Sequence, residues 1–458
     1  MTRVTLVYPP QQSHPKHPHK PEASLAYPYL AGALLDRGHD VSIYDACVGN
    51  HDDPADIFYH QTELESGLYR YGVNDDRILN EVANSDMVGI TSIFTAQESM
   101  ALHVGRLIKQ HFPNKVLVCG GTNARSRPDV FLRAGFDTVC MSEAEHSIQL
   151  LADLVQKHLP VPELAKQLLI EDLDELPIPA WNLHCNERYW QIGRPHGSSK
   201  GNGFKYAPIM TSRGCIFKCS YCHISGEQDY PSIGRFRVKS DHRVLKELER
   251  LNDLGVDNLF IEDDTFFGHK QRGIRLLKLM KEFGFKVWDV NGINLPHFFN
   301  RKQPDLELLD ILQECGFKAV SLPVESGSQR IVDQYASKKW RVDYFDVSAL
   351  IKELVARRIT VGVNYMLGYP DETLQEIMAT IDLARVHKQA GSSSSNFMIV
   401  IPLPGTSLFT KAINEGYLDK DFNPDSFNWR QASMKNTVVP PSQIEEIHQA
   451  AYGELNES

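Results

Sequence analysis

Three of the chain's eight cysteines, Cys215, Cys219 and Cys222, fall within eight residues. They lie in the run Thr211-Ser-Arg-Gly-Cys215-Ile-Phe-Lys-Cys219-Ser-Tyr-Cys222-His223, directly after a strand-like segment at 209–212. No other feature so restricts what this polypeptide can build. Three thiolates at C-x3-C-x2-C spacing can wrap three irons of a cubane cluster and leave the fourth iron open to an outside ligand. Structural zinc is the alternative, but it takes four ligands in two pairs, and His223 follows Cys222 too closely to join it easily. Three unrelated core cysteines are a third reading, improbable at a strand end. A disulfide scaffold would be denser and shorter. The scattered Cys47, Cys119, Cys140, Cys185 and Cys315 read as small buried hydrophobes.

The 458 residues suffice for two or three domains. Residues 1–155 alternate strand-like runs (4–8, 40–45, 87–92, 115–119, 137–141) with helical spacing (24–37, 76–83, 96–111, 145–158), which predicts a doubly wound, Rossmann-like α/β domain. Residues 156–205 form a connector, with a lid-like loop at 197–203. From 206 to 412 six strand–helix units follow. Strands are expected at 209–212, 258–261, 286–291, 319–324, 360–366 and 396–401. Helices are expected at 241–254, 270–283, 305–315, 329–335, 344–358 and 374–389. Six such units suit a partial (β/α)6 TIM-type barrel, with its chemistry at the C-terminal strand ends. Residues 413–458 form a polar C-terminal extension with one helix at 442–455.

The cysteine triplet, with aromatic Tyr221 before its last member, resembles the signature of the radical S-adenosylmethionine (SAM) superfamily. The resemblance implies a 4Fe-4S cluster on Cys215, Cys219 and Cys222, whose open iron is chelated by the amino and carboxylate groups of SAM. One electron then cleaves SAM to methionine and a 5′-deoxyadenosyl radical, which abstracts hydrogen from the substrate. It implies further SAM contacts at strand ends: Tyr221, the acids Glu262, Asp263 and Asp264 after the second strand, Glu325 and Ser326 after the fourth, and Asn364 near Gly368-Tyr-Pro-Asp-Glu-Thr373. Read from the residues alone, Glu262–Asp264 also suits a helix cap and Glu325 a structural ion pair with Arg330. Pro402–Thr406 reads as a tight turn. No residue is assigned a catalytic role.

The N-terminal half is similar to the cobalamin-binding domain that precedes many radical SAM barrels. Tyr8 and Pro9, Ser92 and Thr95, and Gly120, Gly121 and Thr122 stand at strand ends where that domain meets its ligand. Ser92 matches a family serine and Gly120-Gly121 a family glycine pair. Glu143, in Ser142-Glu-Ala-Glu145, stands where the branch has Gly-Glu-Gly-Glu, and Asn123 where histidine is frequent. The D-x-H-x-x-G motif supplying a lower cobalt ligand is absent. His14, His17 and His19 read as a solvated or substrate-facing loop.

These likenesses imply a radical SAM enzyme of the anaerobic-cyclase-like branch, with SAM, a 4Fe-4S cluster and cobalamin as cofactors, transferring a methyl group to a small-molecule substrate. The competing reading is a cobalamin-independent enzyme with a vestigial cobalamin domain, performing dehydration, cyclisation or aminocarboxypropyl transfer. An external one-electron donor such as flavodoxin or ferredoxin is implied. With 58 acidic against 48 basic residues and a net charge of −10, nucleic acid is not an expected partner. No apolar run reaches membrane-spanning length, nor does the N-terminus read as a secretory signal, so the expected location is the cytoplasm.

Overall fold

The computed structural model describes residues 1–14, 24–166, 169–193, 204–227 and 232–456. The chain separates into two compact units, with the division at Tyr206 and Ala207. The stretch read as a connector therefore folds with the first unit. Its lid-like loop, with His17 and His19, lies outside the described residues.

The first unit is built on six strands: β1 (Arg3–Tyr8), β2 (Asp40–Asp45), β3 (Met87–Thr91), β4 (Val116–Gly120), β5 (Thr138–Cys140) and β6 (Leu164–Ala165). They pair in parallel in the order β2-β1-β3-β4-β5-β6. The run Met87-Val-Gly-Ile90 in β3 is buried throughout, as expected for a strand covered on both faces. The strand order reverses between β1 and β3, which places the ligand crevice of such a sheet beyond their C-terminal ends. A small antiparallel sheet of Gln11–Ser13, Gln61–Glu63 and Tyr69–Tyr71 was not expected. Its strands of three residues are too short to show periodicity.

The second unit carries β7 (Tyr206–Ile209), β8 (Asn258–Ile261), β9 (Lys286–Asp289), β10 (Phe317–Glu325), β11 (Thr360–Leu367) and β12 (Ser394–Ile399). They lie side by side in sequence order, with parallel registers from β8 to β12. This is the partial barrel. Its first strand lies three residues before the expected one, and Ser212–Arg213 pairs instead with Arg237–Val238.

Helix starts follow local chemistry. The Ser240 side chain accepts from Arg243 N at 3.0 Å, and Thr373 and Glu376 form a reciprocal capping box. Helix Asp241–Asp253 buries Val244, Leu248 and Leu251, an i, i+4, i+7 stripe. Helix Pro441–Asn456 covers the edge of β12. Asn456 accepts from Ser395 N at 2.9 Å and donates to Ser395 O at 2.8 Å, while a His448 ring nitrogen meets Phe397 O at 2.9 Å. Among the described residues no helix is long and apolar enough to cross a membrane.

Candidate active site

The cysteine loop leaves the end of β7 and is held by three consecutive residues that follow β8. Asp263 accepts from Thr211 N and Thr211 Oγ1, both at 2.7 Å, and from Ser212 Oγ. Asp264 accepts from Gly214 N at 3.0 Å. Thr265 Oγ1 donates to Cys215 Sγ at 3.0 Å. Arg272 ties Thr211 O (2.7 Å) to Lys239 O (2.9 Å). Asp263 and Asp264, expected at SAM, are thus engaged by the loop itself. Burial raises both carboxyl pKa values, that of Asp264 to about 7. Glu262 is half-buried, and its carbonyl accepts from Asn291 Nδ2 at 2.7 Å.

The far side of the loop is clamped by the segment after helix Gln329–Tyr335. Ser220 N donates to Tyr335 O at 2.8 Å, and Lys218 N to Ser337 Oγ at 2.9 Å. His223 Nε2 meets Pro404 O at 3.1 Å, and Leu408 N donates to Ser220 O at 2.9 Å. The Pro402–Thr406 turn therefore packs on the cysteine loop. Thr406 caps the helix that follows it.

The three thiols share one environment. Burial, then the Cys219 sulfur, pushes Cys222 up to about 12, and burial with the Glu325 charge pushes Cys219 up to about 11 against the Lys339 ammonium. One set of three ligand-type side chains among the described residues has ligand atoms within 4.8 Å of one another, and it is not this one. Three sulfurs on one tetrahedral zinc would lie about 3.8 Å apart, so the spacing suits a larger cluster. All eight cysteines are free thiols.

Glu325 closes the shell. It ends β10 with φ of 67°, a left-handed backbone uncommon outside glycine. Its carboxylate accepts from Lys339, and both side chains are buried. The expected partner, Arg330, instead binds Glu376 at 2.6 Å and Asp371 at 3.3 Å. Burial alone would lower the Lys339 pKa, yet Glu325 and the Cys219 and Cys222 sulfurs raise it. Lys339 was not singled out in the sequence. Tyr221 and Tyr369 have ring centroids 6.0 Å apart, and Tyr369 stacks on Tyr335 at 4.3 Å. The Tyr369 hydroxyl is buried without a hydrogen-bond partner, while the Tyr221 hydroxyl bonds the Cys219 sulfur, and both feel the Glu325 charge. An orphaned hydroxyl beside three thiols fits a polar co-substrate such as SAM.

Ser326 and Asn364 point to other partners. Ser326 Oγ is 3.1 Å from Thr380 Oγ1 and accepts from Ser328 N at 3.0 Å. Asn364 donates to Ser321 Oγ at 2.9 Å and accepts from Asn396 Nδ2 at 3.0 Å. That ladder crosses β10, β11 and β12.

In the first unit, a small pocket at the β1 and β3 ends is lined by Tyr8, Pro9, Pro10 and Thr91–Phe94, at the reversal of strand order. Gly121 has φ of +102°, and a Cβ there would lie 2.6 Å from Ser92 O. The Asn123 side chain donates to Ser92 Oγ at 2.9 Å and to Glu98 at 3.0 Å. Thr95 Oγ1 and Asn123 Oδ1 are buried without partners, so the crevice retains polar atoms for a ligand such as cobalamin. Glu143 accepts from Ile170 N at 3.3 Å. Gly120 and Thr122 flank Gly121 in the turn after β4.

Comparison with known proteins gives this arrangement a lineage. The profile of the radical SAM superfamily matches residues 209–384, and that of the B12 binding domain matches residues 21–152. The chain thus contains a radical SAM domain and a B12 binding domain. A cytidylyl-2-hydroxyethylphosphonate methyltransferase of Streptomyces wedmorensis is 27% identical over 86% of this chain and 78% of its own. An uncharacterized methyltransferase of Pyrococcus horikoshii is 26% identical over 98% of this chain and 91% of its own. The radical SAM methyltransferase TsrM of Kitasatospora setae, solved with cobalamin and a [4Fe-4S] cluster, shares the fold. Its TM-score is 0.64 at 17% identity, over 91% of this chain and 78% of that one.

Proposed function

We propose that this chain is a cobalamin-dependent radical SAM methyltransferase acting on a small polar metabolite. The observation that carries the reading is one shell of three cysteines, the buried Glu325–Lys339 pair and the orphaned Tyr369 hydroxyl, in a chain that also contains a B12 binding domain. The methyltransferase relatives favour methyl transfer over the alternative of a vestigial cobalamin domain.

Cys215, Cys219 and Cys222 are the residues that would hold the cluster, and the crevice at Tyr8, Ser92, Thr95 and Gly121 would hold cobalamin. When bound, these groups supply an electron to SAM and a transferable methyl. The chain's own residues do the rest. Asp263, Asp264 and Thr265 fix the cysteine loop before any ligand arrives. The Lys339 ammonium offsets negative charge at the sulfurs. The Tyr221 and Tyr369 hydroxyls offer hydrogen bonds to SAM, and the Tyr335–Tyr369 stack excludes water. Glu262 is the carboxylate assigned to the SAM ammonium. The neutral Ser321–Asn364–Asn396 ladder offers hydrogen bonds rather than charge to an uncharged portion of the ligand.

An acidic chain favours a small molecule over nucleic acid as substrate. A flavodoxin or ferredoxin is the proposed electron donor. Free thiols and an oxygen-sensitive centre favour a reducing compartment such as the cytoplasm.

The test is anaerobic purification and reconstitution with iron, sulfide and hydroxocobalamin. About four irons per chain, co-purifying cobalamin and reductant-dependent turnover of SAM are expected. Cys219→Ala should abolish the brown absorbance and SAM cleavage together, and full activity in that variant would refute the assignment. A reconstituted protein that cleaves SAM but never retains cobalamin would sink the methyltransferase reading and restore its rival.

A further inference from the structure

A second group of ligand-type side chains lies entirely within the first unit. Asp45 ends β2, and His184 and Cys185 directly precede helix Asn186–Ile192. Their ligand atoms all lie within 4.8 Å of one another. Asp45 is 2% exposed and His184 is 8% exposed. The donors to the Asp45 carboxylate are Cys47 N at 2.9 Å, Val48 N at 3.2 Å and the Tyr189 hydroxyl at 2.5 Å. All three are neutral, so the buried charge has no cationic partner among them. His184 Nε2 is buried without a hydrogen-bond partner, while its ring stacks on Tyr189 at 5.3 Å.

We propose that Asp45, His184 and Cys185 form a zinc site distinct from the cysteine cluster. One carboxylate oxygen, one imidazole nitrogen and one thiolate make a mixed, borderline donor set that suits Zn2+ better than a hard cation. Binding takes the Cys185 proton to solvent and involves no change of oxidation state. The same three residue types suggest a Cys–His–Asp nucleophile, but Asp45 and His184 are closed off from any substrate. Three protein ligands leave the fourth tetrahedral position to a water, unlike the closed four-ligand site weighed for the cysteine triplet. Although His184 and Cys185 adjoin in sequence, their ligand atoms already lie close enough to share one ion. The ion fastens the segment before helix Asn186–Ile192 to the end of β2. Of the scattered cysteines, Cys185 is then a ligand rather than a small core hydrophobe.

The experiment is metal analysis and zinc-edge X-ray absorption on the anaerobically purified full chain, grown with added zinc. About one zinc per chain is expected, with one sulfur and otherwise nitrogen or oxygen neighbours. His184→Ala and Cys185→Ser should each lose the zinc while keeping the iron. Cys219→Ala should lose iron while keeping zinc, which separates this site from zinc misloaded at the cluster. If either first-unit variant fails to fold, Asp45→Asn is read instead, by its weaker hold on zinc against a chromophoric chelator. Absence of zinc in the wild type, zinc retained in the variants, or a multi-sulfur shell that vanishes in Cys219→Ala would each overturn the proposal. The proposed methyl transfer stands or falls separately, because its readouts are iron, cobalamin and SAM turnover.

Discussion

A lysine ammonium taken out of water loses several kcal/mol of hydration, so Lys339 keeps its charge only because Glu325 and the cysteine sulfurs surround it. Removing one member of such a pair leaves the other buried and uncompensated. Lys339→Met should therefore destabilise the second unit by about 3–5 kcal/mol in denaturant unfolding. Adding Glu325→Gln should recover much of that loss, whereas additive losses would show that the two charges do not depend on each other. The pairing also shows where sequence reasoning stops. Arg330 lies five residues after Glu325 and was the natural guess. Lys339 returns to Glu325 only because Ser337 and Lys338 both adopt positive φ, a turn that no composition signal announced. The cysteines were legible because their spacing is itself the chemistry. Asp263 and Asp264 were legible as functional acids, but not as holders of the loop, since their partners Thr211, Ser212 and Gly214 lie about fifty residues away in sequence.

At the scale of elements, helices Gln329–Tyr335 and Leu374–Gln389 begin and end where their periodicity and caps place them. The shift of β7 has a physical source. Thr211 and Ser212 are fully buried and look strand-like, yet their side chains bond Asp263 and Ser212 pairs with Val238 rather than with the barrel sheet. Gly121 carries a sharper constraint, because its positive φ and the nearby Ser92 carbonyl leave no room for a Cβ. Gly121→Ala should cost more than about 1 kcal/mol in the first unit and weaken cobalamin binding, checked by thermal unfolding and by cobalamin retained on a desalting column. Unchanged retention would separate this turn from the cobalamin crevice. Asn456 makes two hydrogen bonds to the Ser395 backbone. Asn456→Ala leaves those groups unsatisfied and should cost about 1–3 kcal/mol, measured by urea unfolding.

Over the whole molecule, the radical SAM and B12 binding matches occupy separate regions, and the proposed activity should come apart along that line. A first-unit variant that loses cobalamin should still convert SAM to 5′-deoxyadenosine but give no methylated product. Acid stability is set partly by His387, whose Nδ1 is 2.8 Å from the Tyr365 hydroxyl. Burial lowers its pKa from 6.5 to about 4. The unfolded chain thus takes up the proton first as the pH falls, so stability is complete above about pH 6.5 and lost progressively down to about pH 4. One such group accounts for on the order of 3 kcal/mol. His387→Gln should flatten the slope of Tm against pH in that window, and an unaltered slope would assign the acid sensitivity elsewhere.

The order β7 to β12 is also the order of synthesis, so each barrel strand finds its neighbour already in place as it emerges from the ribosome. Only the outer edge of β12 must wait, because its cover is helix Pro441–Asn456. A nascent chain paused before that helix leaves the backbone groups of Ser395 and Phe397 without the partners they find there and open to any other chain nearby. The moment of greatest aggregation risk in the life of this enzyme therefore falls late in translation, when the barrel is nearly complete, and a chaperone that shelters it should engage there.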